Sequence, residues 1–87
     1  MRIVLSKPES RALNTLRGLP EDVHMMVMCS TIGPDGTILE GSEETLEELV
    51  EFIGEMLSEG MVSARDEAPL ISLCLKIDPD CLDWLGS

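Results

Sequence analysis

The chain has 87 residues, 44% of them hydrophobic, and a formal net charge of −11 at pH 7. A chain of this length forms one small domain of about two packed layers, so we predict a single domain over residues 1–87. Its acidic surface would repel the phosphates of nucleic acids and of anionic lipids, which argues against binding to either. The sequence contains no apolar run of membrane-spanning length, and its first residues lack a signal-peptide core.

The cysteines are odd in number and show no CxxC spacing. Such a set is typical of reduced thiols, because structural disulfides form in pairs and metal sites need clustered ligands. Together with the missing signal-peptide core, it predicts a cytoplasmic protein. The three residues are Cys29, Cys74 and Cys81.

The chain begins with a short apolar run over residues 2–5, which predicts a strand. A helix over 6–18 follows, with Ser6 as its N-cap and Glu9 at the capping-box spacing. This helix carries three of the six Lys and Arg residues of the chain. We expect these cations either to lie near acidic groups of the later long helix or to border a partner surface. They are Lys7, Arg11 and Arg17.

Two strands joined by a tight turn are predicted next. Residues 23–32 are rich in Val and Met and too short for an independent core helix, so we assign them to a strand. Pro34 and Gly36 occupy the second and fourth positions of a type I turn, which closes a hairpin. Residues 37–40 then return as a short strand.

The most regular pattern in the chain predicts a long helix over residues 42–60. Ser42 is a favourable N-cap, and Gly60 is a natural residue for the end of a helix. Apolar residues recur at spacings of three and four, which places them on one buried face. They are Leu46, Leu49, Val50, Ile53, Met56 and Leu57.

The last third of the chain is predicted to hold one more strand. Residues 61–69 are polar and are assigned to a connection. Residues 70–77 alternate between apolar positions and smaller or polar ones, which is typical of a half-buried strand. We expect residues 78–87 to form a C-terminal capping turn or tail.

The element order is therefore β-α-β-β-α-β, which matches the ferredoxin-like split βαβ arrangement. We predict an α+β fold of two layers, with a four-stranded, mostly antiparallel sheet and two helices on one face. This topology would place the long apolar strands 23–32 and 70–77 at the sheet edges, where aggregation is a hazard. Either the strand order differs, or a second subunit or the C-terminal turn covers those edges.

The polar face of the long helix carries seven Glu and no Lys or Arg between residues 43 and 59. Glu pairs four residues apart repel each other by about 0.2–0.5 kcal/mol per pair. The common interpretation of such a face is a solvated surface. The alternative is a docking surface for a basic protein partner, of which a mimic of nucleic-acid phosphates is a narrower version. The candidate partner-binding residues are Glu44, Glu47, Glu48, Glu51 and Glu55.

His24, Met26 and Met28 would share one side of the predicted strand 23–32. Both sides of that strand are apolar, which is typical of a sheet covered by a second copy of the chain. We therefore predict a homodimer with these three residues at its interface. A His-x-Met-x-Met row can bind Cu(I), but packing is the ordinary role of such a row, so we expect no metal site and no cofactor.

No catalytic motif is present, and the sequence places no partner beside its single histidine, so we do not expect an enzyme. The features above favour a small interaction module, such as a regulatory subunit, inhibitor or adaptor, that docks a basic partner through the long helix. The alternative is a regulatory domain that binds a small effector at a subunit interface. That alternative rests only on the functions common among ferredoxin-like folds.

Overall fold

The computed structural model describes residues 2–81, without the side chain of Cys81. Within this range the fold is α+β, as predicted, with three strands and four helices. The predicted four-stranded sheet and ferredoxin-like topology are not confirmed. Most of the predicted C-terminal turn over 78–87 lies outside the described residues. The elements are β1 Arg2–Leu5, α1 Lys7–Thr15, α2 Glu21–Met28, β2 Thr31–Gly33, β3 Gly36–Glu40, α3 Glu43–Ser58, α4 Ala64–Ile77 and a 3-10 turn Pro79–Cys81.

The sheet is antiparallel with the strand order β1-β3-β2, so the last strand in the chain lies at the centre. Ile3 pairs with Leu39 across β1 and β3, and both side chains are buried against the helices. Val4, on the opposite face, is 40% exposed. The alternation typical of a sheet with one covered face is therefore present.

The capping box predicted at the start of α1 is confirmed. The Ser6 hydroxyl accepts a hydrogen bond from the Glu9 amide at 3.4 Å, and the Ser6 amide donates to Glu9 Oε1 at 2.7 Å. These two bonds satisfy amides that have no partner within the helix itself. The helix ends at Thr15, three residues earlier than predicted.

The strand predicted over residues 23–32 is wrong for most of its length. Residues 21–28 form the helix α2, and β2 begins only at Thr31. Val23 and Met26 are buried three positions apart, which is helical spacing. Met also has a high intrinsic propensity for helices, and three of the eight residues of α2 are Met. Glu21 in the first turn also favours a helix, because its charge lies near the positive end of the helix dipole.

The strand predicted over residues 70–77 is also wrong, because this segment is the second half of α4. Leu70, Leu73 and Cys74 are fully buried, and their spacings of three and one place them on one helical face. Pro69, the last residue of the predicted connection over 61–69, lies in the second turn of α4. It removes one backbone hydrogen bond, but the helix continues past it.

The helices form the layer that covers the sheet. Contacts join α1 to β1, β3 and α4, and they join α2 to β3. The long helix α3 was predicted to pack on the sheet. It packs chiefly on α2 and α4, so its apolar face lies against other helices. Within residues 2–81, no helix is both long and apolar enough to cross a membrane. The largest fully buried side chains are Leu5, Val23, Leu39, Leu46, Leu49, Ile53, Leu70 and Leu73.

An ion pair between a buried carboxylate and a partly exposed ammonium group links the two ends of the described chain. Glu9 is 2% exposed, and its Oε1 accepts a hydrogen bond from Lys76 Nζ, which also donates to the carbonyl oxygen of Val4 at 3.0 Å. Burial alone raises the pKa of Glu9, but hydrogen bonds from Lys76 and the Ser6 amide outweigh it, so the pKa lies below its usual value. One ammonium group thereby holds α1, α4 and β1 together.

We expect Lys76→Met to destabilise the fold by about 2 kcal/mol at pH 7, because it leaves the Glu9 carboxylate buried without its cation. In the wild type, the lowered pKa of Glu9 contributes stability above its unfolded pKa, and that contribution is lost as the pH falls through the folded pKa. The difference between variant and wild type should therefore shrink as the pH falls through the lowered pKa of Glu9 in the folded wild type, because the carboxyl group is then protonated in both proteins. Urea unfolding at several pH values measures it.

The matched control is Lys7→Met, which removes an exposed lysine from α1 that forms no ion pair within the described residues. It should change the free energy of unfolding by less than about 0.5 kcal/mol. Equal effects of the two substitutions would contradict the assigned role of Lys76.

Candidate partner-binding site on the third helix

The predicted boundaries of the long helix are confirmed to within two residues. Ser42 is the N-cap, and its hydroxyl accepts a hydrogen bond from the Thr45 amide at 3.2 Å. Glu43 and Glu44 lie in the first turn, where the helix dipole favours negative charge. Gly60, just past the helix end, has φ of +70°, a conformation that glycine adopts without strain.

The five predicted partner-binding glutamates are all exposed on α3. Because successive residues turn by about 100°, they spread over one broad face of the helix. The two ion pairs within the described residues, Arg2–Glu40 and Lys76–Glu9, involve none of them. The acidic face therefore carries its repulsion without a cation from the described part of its own chain.

One flank of this face borders a shallow hollow of about 320 Å³. Phe52, which is half-buried, and Pro20, just before α2, supply its apolar surface. Three carboxylates surround these two residues, and we call the site the Phe52 hollow. The carboxylates are Glu48, Glu51 and Glu55.

The other flank borders a second hollow of about 230 Å³, where α3 meets the end of α4. Ile77 is its apolar residue, and the carboxylates of Glu43, Glu47 and Asp78 line it. Glu44 is exposed and lines neither hollow. The structure thus divides four of the five predicted residues between two acidic hollows.

An aromatic ring beside several carboxylates is suited to bind an arginine side chain. The guanidinium group can stack on the ring face, and its five N–H donors match carboxylate geometry. A lysine ammonium can neutralise the same charges, but it lacks the planar fork. The Phe52 hollow therefore has the chemistry to prefer arginine over lysine.

The predicted dimer-interface residues do not share a face. Because residues 21–28 are helical, His24 and Met28 lie one turn apart on the outside, while Met26 lies between them in sequence and is buried. Met26 packs inside the chain and is not available to a second subunit. Homodimerisation stays a prediction, but the apolar strand face on which it rested does not exist.

The cations of the first helix were expected near the acidic long helix or at a partner surface. None of Lys7, Arg11 and Arg17 forms an ion pair with α3 within the described residues. The physical reason is the packing, because α1 lies against α4 and the sheet, whereas α3 lies against α2 and α4.

Neither a family model, nor a curated protein, nor a solved structure matches this chain significantly. In residues 2–81, no three or more His, Cys, Asp or Glu side chains are grouped as a metal site would require.

The apolar half of the Phe52 hollow was not predicted from the sequence. Phe52 lies at the boundary between the polar and apolar faces of α3, four residues after Glu48. This spacing is the only local feature of the sequence that indicates a contact between the ring and the acidic face. Pro20 comes from a distant part of the chain. No pattern within either segment predicts that they meet.

We expect Glu51→Lys to stabilise the isolated protein by about 0.5–1 kcal/mol at low salt. The substitution replaces two repulsive pairs, with Glu47 and Glu55, by two attractive ones. Thermal unfolding at low salt and in 1 M NaCl measures the effect, which should shrink at high salt because exposed charges are screened. A destabilised variant at low salt would show that the acidic face is not repulsive.

Proposed function

We propose that this protein is a small interaction module that docks a basic protein partner through the acidic face of α3. Regulatory subunits, inhibitors and adaptors belong to this class. The observation that carries the proposal is the Phe52 hollow, in which Glu48, Glu51 and Glu55 surround an aromatic side chain. A purely solvated face needs carboxylates but does not need a half-buried aromatic ring beside them.

The first support for the proposal is electrostatic. The acidic face opposes helix formation through pairs of like charge four residues apart, and each pair costs about 0.2–0.5 kcal/mol. A basic partner would relieve this repulsion on binding. The net charge of −11 would also attract such a partner over distance and raise the rate of association.

The second support is the shape of the site. An arginine from the partner fits the Phe52 hollow, with its guanidinium stacked on the ring and bonded to the surrounding carboxylates. Arginine and aromatic residues at the centre of an interface commonly contribute most of its binding energy. The second hollow, at Ile77, would hold another basic side chain of the same partner.

The alternative expectation, a regulatory domain with an effector at a subunit interface, has less support. It rested only on the functions common among ferredoxin-like folds, and the ferredoxin-like topology is not confirmed. We therefore keep the interaction module as the proposed function.

The test uses two octapeptides that differ only in carrying three arginines or three lysines. Neutralising the three carboxylates of the Phe52 hollow should weaken binding of the arginine peptide by at least about tenfold, because each lost charge removes an attraction. Fluorescence anisotropy at low salt measures the binding. The variant combines Glu48→Gln, Glu51→Gln and Glu55→Gln.

The control variant loses the same amount of charge at exposed positions that line neither hollow, namely Asp22→Asn, Asp35→Asn and Glu67→Gln. It should bind within about twofold of the wild type, because the remaining effect is only the change in net charge. Equal weakening by both variants would mean that the peptide senses net charge alone, and the α3 face would then be a solvated surface.

Phe52→Leu tests the aromatic part of the site without a change in charge. The wild type should prefer the arginine peptide over the lysine peptide by about threefold or more, through stacking on the ring. The variant should bind both peptides with similar affinity. Circular dichroism checks that the fold is kept, since Phe52 also packs against the core. An unchanged preference would remove Phe52 from the site.

A further inference from the structure

A cleft of about 680 Å³ lies between α1 and the β2–β3 hairpin. This volume is in the range of sites that hold small organic ligands, and it exceeds those of both hollows on α3. The hairpin contributes residues 32–37 to the walls. Helix α1 contributes Lys7, Ser10, Arg11, Asn14 and Thr15.

The cleft gathers positive charge in an otherwise acidic protein. Lys7 and Arg11 are exposed, lie one helical turn apart and line the same wall. They are two of the six cations in a chain with 17 acidic residues, yet neither forms an ion pair within the described residues. Two unpaired like charges at this spacing repel each other, and a bound anion would relieve that repulsion.

The walls of the cleft are held in place by local contacts. The Thr37 hydroxyl donates a hydrogen bond to the Ser10 hydroxyl at 3.2 Å, which joins the hairpin to α1. Gly36 has φ of +138°, and a Cβ atom there would overlap the carbonyl oxygen of Leu5. Glycine at this position therefore lets the hairpin lie close against β1, which positions one wall of the cleft.

The rim of the cleft is apolar on the hairpin side. Ile32 is 92% exposed although it belongs to β2, and Pro34 at the turn is exposed beside it. An exposed isoleucine next to unpaired cations is suited to a ligand with an anionic end and an apolar body. Asp35 also lines the cleft, and its carboxylate opposes the binding of an anion.

We infer that this cleft binds a small organic phosphate monoester. The phosphate would lie between Lys7 and Arg11, and the organic part would lie on Ile32 and Pro34. A phosphate monoester carries close to two negative charges at neutral pH, which matches two cations, whereas a carboxylate would leave one cation unpaired. Ser10 and Asn14 supply further donors for the phosphate oxygens. This site is independent of the proposed docking face on α3.

The test follows a titration of the ¹⁵N-labelled full chain with phenyl phosphate at pH 8 by two-dimensional NMR. Saturable shifts should appear at residues 7–15 and 32–37, which form the cleft. Arg11→Gln should weaken binding about tenfold, because it removes a charged, bidentate partner of the phosphate. Asp35→Asn should tighten binding by about threefold, because it removes the opposing charge.

The matched control is Arg17→Gln, which removes the same charge just after α1 but outside the cleft. It should leave the affinity within about twofold of the wild type, since only distant, screened charge changes. Equal weakening by Arg11→Gln and Arg17→Gln would overturn the site. Shifts confined to residues outside the cleft would do the same.

Four further probes define the ligand class. Inorganic phosphate should bind more weakly than phenyl phosphate because it lacks the apolar body, and phenol should not bind because it lacks the anion. Benzoate binding as tightly as phenyl phosphate would overturn the preference for a dianion. A phosphoserine hexapeptide that binds at least about tenfold tighter would assign the cleft to a phosphorylated protein and overturn the small-molecule proposal.

Discussion

The arrangement of the helices depends on the ion pair between Glu9 and Lys76. The two residues are 67 positions apart in the chain, and one of them is almost fully buried. A buried carboxylate without its cation would cost about 2 kcal/mol, so structures that separate these residues are disfavoured. Lys76 also bonds to the β1 backbone, so the same contact sets α1 and α4 against the edge of the sheet. Helix α1 then forms one wall of the cleft, and α3 packs on α4.

The helical layer also keeps the two kinds of charge apart. Helix α3 packs on α2 and α4 and turns its glutamates outward, while α1 packs on α4 and the sheet and turns Lys7 and Arg11 to the hairpin. Exposed charges on different faces of a protein are largely screened from each other at physiological salt. Each surface therefore keeps its own electrostatic character, an acidic face with an aromatic hollow and a basic cleft with an apolar rim. Partners of opposite charge would fit the two surfaces.

The sequence predicted well those elements whose signals are local. Helices α1 and α3 each combine an N-cap with an apolar period, and both helices are confirmed. The caps are Ser6, paired with Glu9, and Ser42. The strands predicted over residues 23–32 and 70–77 were wrong for most or all of their length, because short apolar runs fit a helix and a strand almost equally well. In the second case the alternation around Leu73 was accidental, since the burial follows helical spacing. Packing of α4 against α1 and α3 decided the outcome.

The sequence by itself determined the α+β class, the capped helices α1 and α3, the hairpin turn and the exposed glutamates, because caps, turns and amphipathic periods act between residues close in the chain. Only the tertiary structure decided which residues meet over long distances. It brought Pro20 to Phe52, Lys76 to Glu9, and Arg11 to the hairpin. These contacts depend on how helices pack around a shared core, and that choice is a property of the whole chain.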